Sequence, residues 1–344
     1  MNRNAAIDLS RALAVILVTM SHVSRGPWLP SYELGRFDLF GFLQNGWIGV
    51  GIFFVISGYC MGMSTKSDFR TGVTPATYLR YALKRFMRIA PPYYISIGVW
   101  VFIISVYKIA PKPIDSHDII THLAFIHNFS QNTFFTVSGV YWSIAVEMQF
   151  YLVLPFIVML CQGAKSTLAV LFLAVLLAVS INSTSLSIVY KWGLLNYLAL
   201  FVYGWALFNY QTRVEAFLTK RRLLPLLILL FILMLLYKGE GYSNNQKVYE
   251  MMTSAVYGFI MVGMNNAVSK MTSQFVNTLL IVGKASFSIY LYNYIYNAVL
   301  PRGINPFGVM VIFFGTLGFG MLMYFLVEVN TERLRARLFK KRPS

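Results

Sequence analysis

The chain has 344 residues, 57% of them hydrophobic and 12% charged, with a mean hydropathy of +0.62 and a formal net charge of +17. Soluble domains carry about a quarter of their residues as charges, so half that density in long uncharged runs excludes a water-soluble globule and makes the lipid bilayer the main solvent. The positive charge reads as Lys and Arg collected at one membrane face, not as a nucleic-acid surface. Two cysteines, Cys60 and Cys161, lie in apolar runs; they are too few for a disulfide framework or a zinc cluster and read as packing residues.

A helix needs about 20 apolar residues to cross the hydrocarbon core. Candidate spans fall at 7–24, 42–63, 85–107, 139–161, 166–182, 192–210, 222–238, 248–265, 276–300 and 305–328. The expected fold class is therefore all-α, a polytopic membrane helix bundle of about ten transmembrane helices, with one membrane domain over residues 1–344. The first span carries Asp8 and Arg11 and lacks a small-residue cleavage site, so it is expected to remain as a helix. Ten spans put both termini on one side. Of the 29 Lys and Arg, only eight (Arg25, Arg36, Lys108, Lys112, Lys191, Lys238, Lys247 and Arg302) fall opposite the termini, leaving 21 with them. Setting aside Arg11 and Lys284, which lie within helices, the comparison is 19 to eight, which predicts cytoplasmic termini.

Ionisable groups within the membrane point to function by default. The first span reads IDLSRALAVILVTMSH, with Arg11 and His22 eleven positions apart. Eleven residues make about three turns, so the two side chains share a face, roughly 16 Å apart along the axis. Asp8 lies three residues before Arg11, close enough to hold its guanidinium. His22 suits a general base near neutral pH; a histidine hydrogen-bonded to a neighbouring helix fits the pattern equally. In the second span, WIGVGIFFVISGYCMGM, Gly49, Gly51, Gly58 and Gly62 permit close helix packing, and Ser57 is either polar glue or a cavity-lining support.

The third span opens LKRFMRIAPPYY. Arg85 and Arg88 face the same way, and Pro91 and Pro92 are expected to kink the helix. Such a pair suits a phosphate-bearing ligand or a plain membrane-face anchor. Residues 108–138 form the longest outer connection, and the run IITHLAFIHNF within it reads as a short surface or re-entrant helix. His117, His122 and His127, five apart, scatter around such a helix and do not make the i, i+4 zinc spacing; they read as loop histidines, and no metal site is expected.

The fourth span, YWSIAVEMQFYLVLP, holds Glu147, which in an apolar helix must find a partner or stay protonated. It has three readings: to orient His22, to hold Arg11, or to bond a polar acceptor. Ser143, Glu147 and Tyr151, spaced by four, line one face. The ninth span contains GKASFSIYLYNYIY, with Lys284 towards its cytoplasmic end and Asn293 among Tyr290, Tyr292, Tyr294 and Tyr296. No P-loop, dinucleotide fingerprint or GxSxG elbow occurs.

Together these segments resemble the acyltransferase-3 family of membrane acyltransferases, many of which O-acetylate bacterial surface polysaccharides. The resemblance rests on Asp8 with Arg11 and His22, on FFVISGY at 53–59, on Arg85 and Arg88 with IAPPYY, on the YWSIAVEMQFYLVLP run, and on GKASFSIYL with a closing VEVN at 327–330. It implies ten core helices and a bacterial cytoplasmic (inner) membrane location. It also implies a cytoplasmic acyl donor, usually acetyl-CoA, and an acceptor hydroxyl on a polysaccharide or lipid-linked glycan. The implied catalytic residues are His22 and Arg11, with Glu147 added from the residue reading. Donor contacts fall to Arg85, Arg88, Arg11 and Lys284, acceptor contacts to Trp142, Ser143, Tyr151 and Asn293, and support to Asp8 and Ser57. Family members often have a histidine where this chain has Asn293. Direct transfer and an acetyl-histidine intermediate are both compatible with this set. The rival reading is a transporter or flippase for a lipid-linked sugar, with Glu147 and Arg11 as its coupling pair.

Overall fold

The computed structural model describes residues 4–24, 33–34, 37–38, 41–108, 113–218, 220–236, 244–268, 271, 273–295 and 306–339. Of the charges weighed for sidedness, Arg3, Arg25, Arg36, Lys112, Lys238, Lys270, Arg302, Lys340, Lys341 and Arg342 lie outside the described residues, as do Tyr296 and the side chains of Lys220 and Arg221. The helices used below are α1 (Ala5–Val23), α2 (Gly49–Asp68), α3 (Pro75–Tyr107), α4 (Ser116–Leu123), α5 (Tyr141–Leu160), α6 (Ala164–Asn182) and α7 (Leu194–Asn209). They continue with α8 (Lys220–Leu236), α9 (Asn244–Gly263), α10 (Gln274–Lys284), α11 (Ser286–Leu291), α12 (Pro306–Met323) and α13 (Val329–Leu338). Among the described residues the other regular structure is short helical turns and a two-residue antiparallel ribbon, Glu33–Leu34 with Phe37–Asp38. The fold is all-helical.

Six helical segments among the described residues are long and apolar enough to cross a membrane: Ala5–Val23, Asn45–Asp68, Pro75–Tyr107, Tyr141–Leu160, Ala164–Asn182 and Phe307–Leu338. They match the first five expected spans and the last. The remaining four differ in instructive ways. Helices α7 and α8 are 16 and 17 residues long. Helix α9 opens with Gln246, Lys247 and Glu250, all buried. The expected ninth span, 276–300, is not one helix: it breaks at Ala285 between α10 and α11, and residues 296–300 lie outside the described chain. Packing overrides periodicity here. Gly283 brings α10 so close to α1 that a Cβ on it would lie 1.8 Å from the Asp8 carbonyl oxygen. Helix α3 runs for 33 residues with Pro91 and Pro92, where a kink is expected, inside it; its start is set by Pro75 and a Thr74–Thr77 capping box.

Helix α2 is the centre of the bundle. In its span 78% of the most apolar window is buried, against 22% for α6 and 17% for the last helix. It packs most closely on α7, and the glycines explain how. A Cβ on Gly58 would sit 2.1 Å from the Phe201 carbonyl oxygen, and one on Gly204 would sit 2.0 Å from that of Val55. Backbone meets backbone in both directions, as small residues allow in lipid, where hydrophobic burial alone does not drive helices together. The outer helices turn Phe102, Phe156, Leu168, Phe172 and Phe314 outward, where they are exposed. An apolar surface of that extent belongs in a bilayer, so the protein is a polytopic helical membrane protein.

Candidate active site

Three cavities line up along the bundle. The first, at the rim, opens between the C-terminal ends of α2 and α13 and the start of α3, and is lined by Asp68, Lys84, Arg85, Arg88, Arg11 and Glu332 among others. It is open to solvent and much wider than the central cavity beyond it. The two share Arg11, Cys60, Met61, Arg88 and Glu328. The central cavity in turn shares Val50 and Tyr290 with an outer cavity that contains His22.

At the rim, α3 turns Lys84, Arg85 and Arg88 inward. Asp68 at the end of α2 pairs with Lys84 and lies 3.9 Å from Arg85. Arg85 also donates to Ser64 Oγ at 2.7 Å and lies over the Tyr81 ring. Arg85 is thus largely committed to α2, while Arg88, one turn on, reaches both the rim and the central cavity. Pro91 and Pro92 lack N–H groups, which leaves the carbonyls of Met87 and Arg88 without their helical donors just where the cavity opens.

The expected face of α5 is intact in the central cavity, where Ser143, Glu147 and Tyr151 stand together. Glu147 Oε1 accepts from Ser57 Oγ at 2.6 Å and from the Tyr151 hydroxyl, and the two hydroxyls are 3.0 Å apart. Both partners are protein hydroxyls that none of its three readings named; His22 lines the outer cavity and Glu147 the central one. Arg11 enters from α1, held by Asp8 at 3.9 Å, and donates to Cys60 Sγ at 3.4 Å. Cys60 is therefore more than packing: it faces both inner cavities. Lys284 lines the central cavity where α10 ends.

His22 sits near the end of α1, half-buried, its ring 4.3 Å from that of Tyr294. Its Nδ1 lies 2.5 Å from Asn293 Oδ1. The orientation of the amide follows from its other side. Thr19 donates its hydroxyl proton to Val15 O at 2.8 Å, so its oxygen accepts from Asn293 Nδ2 at 2.7 Å. The carbonyl end of Asn293 thus faces His22, Nδ1 carries the proton, and the lone pair is on Nε2. Asn293, expected to contact an acceptor, is fully buried and holds the histidine instead. Trp142, expected among the acceptor contacts with Ser143 and Tyr151, lines the outer cavity while those two line the central one.

Three groups were given no role by the sequence. Glu328 accepts from Ser288 at 2.7 Å and faces the rim and central cavities; a carboxylate inside the apolar last helix was the available signal. It is turned inward by a π-helical stretch, Tyr324–Glu328, a distortion common at functional positions. Tyr290, bonded to Ser143 Oγ at 2.6 Å, stands between the central and outer cavities. Lys247 and Glu250, read only as an outer charge and not at all, form a buried pair in the outer cavity. His122 and His127 do not scatter: their rings stack at 3.9 Å and 7°. Helix α4 ends at Leu123, and Phe125, in the left-handed region at φ 57°, turns the chain so that His127 comes back onto His122. Among the described residues no cluster of three or more metal-ligating side chains occurs.

A helical membrane bundle with a basic rim, a polar interior and an oriented imidazole is the class the geometry defines. The profile of the acyltransferase-3 family, described as an acyltransferase domain, matches residues 4–325, and the chain belongs to that family and is an acyltransferase. It is similar to the peptidoglycan O-acetyltransferase OatA of Listeria monocytogenes serovar 1/2a (strain EGD-e), 31% identical over 161 residues, or 44% of this chain. The match spans only 23% of OatA's own length. It is also similar to the putative acetyltransferase ORF330 of Acidianus two-tailed virus, 24% identical over 268 residues and 75% of each chain. No solved structure matches the chain.

Proposed function

We propose that the protein is an O-acetyltransferase of the bacterial cytoplasmic membrane. It moves an acetyl group from acetyl-CoA to a hydroxyl of a surface polysaccharide or its lipid-linked precursor. The observation that carries this reading is the row of three cavities running from the arginine-lined rim to the Nε2 of His22. The termini and the rim face the cytoplasm, as the 19-to-eight distribution of Lys and Arg supports, and the full complement of about ten crossings brings α7 to α11 into the membrane with the six long apolar segments.

The nucleotide of acetyl-CoA docks in the rim cavity, where Arg88 and Arg85 meet phosphate oxygens. The pantetheine arm enters the narrower central cavity past Arg11 and Lys284. At its outer end the acceptor hydroxyl gives its proton to His22 Nε2 as its oxygen attacks the thioester carbonyl carbon. The C–S bond breaks, the thiolate of CoA leaves, and the proton held by His22 returns to it. A base so placed is worth about 10²–10⁴ in rate. The O-acetyl content of surface glycan, compared between cells carrying the wild type and His22→Ala at matched membrane levels, tests this. Acetyl present with the wild type and reduced at least a hundredfold in the variant is the expected result. Equal acetylation removes His22 from the reaction, and a wild type that binds no labelled acetyl-CoA removes the donor assignment.

A further inference from the structure

The outer cavity contains a built polar device that acyl transfer as described does not use. Lys247 on α9 is buried, its Nζ 3.0 Å from Glu250 Oε2 and bonded to the Tyr197 hydroxyl. The Tyr197 hydroxyl lies 3.0 Å from the same carboxylate oxygen. Around this knot stand aromatic faces: Nζ is 4.6 Å from the ring centre of Trp192, 4.8 Å from Tyr197 and 5.8 Å from Trp142. The Trp142 and Trp192 rings are 4.6 Å apart. The same cavity is lined by His22.

A buried ion pair is rarely a source of stability, because desolvating both charges opposes their attraction. Apolar residues would fill this space more cheaply, so a ligand is the better explanation of the pair. Apolar aromatic walls with a few fixed polar groups are the usual make-up of a small-molecule site. The chemistry narrows the ligand. Flat rings accept the C–H face of a pyranose, while a carboxylate and an ammonium accept from and donate to its hydroxyls. Because Glu250 balances Lys247, the site offers no net charge to an anionic sugar, and a lipid tail would leave the pair without partners.

We propose that the cavity walled by Trp142, Trp192 and Tyr197 and floored by the Lys247–Glu250 pair is the acceptor subsite, and that it takes an uncharged pyranose unit. This rests on the acyltransfer reading above, since it places that unit's hydroxyl beside His22. Glu250 and Lys247 hold the ring's other hydroxyls and leave one free to reach Nε2.

The test uses purified full-length protein in detergent. Tryptophan fluorescence is titrated with chitotriose, maltotriose and trigalacturonate, and labelled acetyl-CoA binding is measured in parallel. At least one neutral trisaccharide should bind ten times more tightly than trigalacturonate. Trp192→Ala and Glu250→Gln should weaken that binding at least tenfold, Trp192→Phe by less than threefold, and acetyl-CoA binding should stay within twofold of wild type in all three. The proposal is overturned if no neutral trisaccharide binds, if trigalacturonate binds as well, or if the two weakening variants bind sugar normally or lose acetyl-CoA to the same degree. Where a variant does not fold, the preference of the wild type alone decides. Saccharide binding as expected, together with no acetylation in the His22 experiment, would leave the sugar site standing and remove the acyltransfer reading.

Discussion

At the scale of single residues, the site turns on which groups hold which. His22 and Arg11 were legible in the sequence because ionisable side chains are rare in apolar helices and an eleven-residue spacing puts them on one face. Their partners were not, since Asn293 is 271 positions from His22 and no local pattern marks a contact made across the bundle. The chain from Val15 through Thr19 and Asn293 to His22 fixes the tautomer with the proton on Nδ1. Removing the amide should therefore act on turnover and not on donor binding. For Asn293→Ala we expect kcat to fall about ten- to a hundredfold, a part of the 10²–10⁴ that a positioned base contributes, with KM for acetyl-CoA within a factor of about two. Steady-state kinetics on membranes at matched expression measures both; a rise in KM with kcat unchanged would assign Asn293 to binding instead. Glu147 shows the converse limit. Its place within an apolar helix could be read from α5 alone, whereas its choice of Ser57 and Tyr151 over His22 depends on how α2 and α5 meet.

At the scale of elements, long apolar runs translate directly into helices, which is why the first five expected spans and the last are present as helices, although α3 begins ten residues before its expected span and the last segment runs ten residues beyond its own. Where packing sets the backbone, periodicity fails, as at the Ala285 break and in the turn after α4. Both cases rest on close approaches between distant segments. The contact of α2 with α7 gives a direct test: Gly58→Ala drives a Cβ into the Phe201 carbonyl, and overpacking of this kind costs about 1–3 kcal/mol. Thermal unfolding in detergent should show a lower midpoint, and an unchanged one would mean that the helices separate freely. Helix α4 carries a second test. Burial pushes the His122 imidazole down to about 4 from its usual 6.5, and burial with the neighbouring His122 holds His127 well below its usual value. Both are neutral when folded, so below pH 6.5 the unfolded segment binds protons that the folded one excludes. The stability they confer is full above pH 6.5 and is lost between pH 6.5 and about 4; by pH 5, His122 alone accounts for about 2 kcal/mol. Hydrogen exchange across residues 116–129 should accelerate from pH 7 to pH 5 beyond the intrinsic change, and the excess should vanish in a His122→Phe, His127→Phe double variant. Excess exchange that persists in that variant would place the proton-sensitive groups elsewhere.

At the scale of the whole molecule, the proposed reaction poses a problem that soluble enzymes never meet. Its donor and acceptor would approach one another from opposite ends, yet an open path between them would conduct ions down the membrane potential, where each charge moved is worth about 2.3 kcal/mol per 100 mV. The central and outer cavities are lined in common by Val50 and Tyr290. Tyr290 is pinned there by Ser143 Oγ at 2.6 Å and the Val140 carbonyl at 3.2 Å, with Phe53 edge-on at 5.8 Å. In the proposed path, the phenol held on α11 against α5 is the partition between the donor and acceptor ends. The break at Ala285, unreadable from the helical pattern, is what allows α11 to carry this ring across the path while α10 stays packed on α1. In proteoliposomes with an internal pH dye, wild type and Tyr290→Phe, which keeps the ring, should hold a proton gradient to within a factor of about two of each other. Tyr290→Ala should collapse it several times faster. An Ala variant as tight as wild type would show that the seal lies at another point on the path, and Val50 would be the next residue to remove.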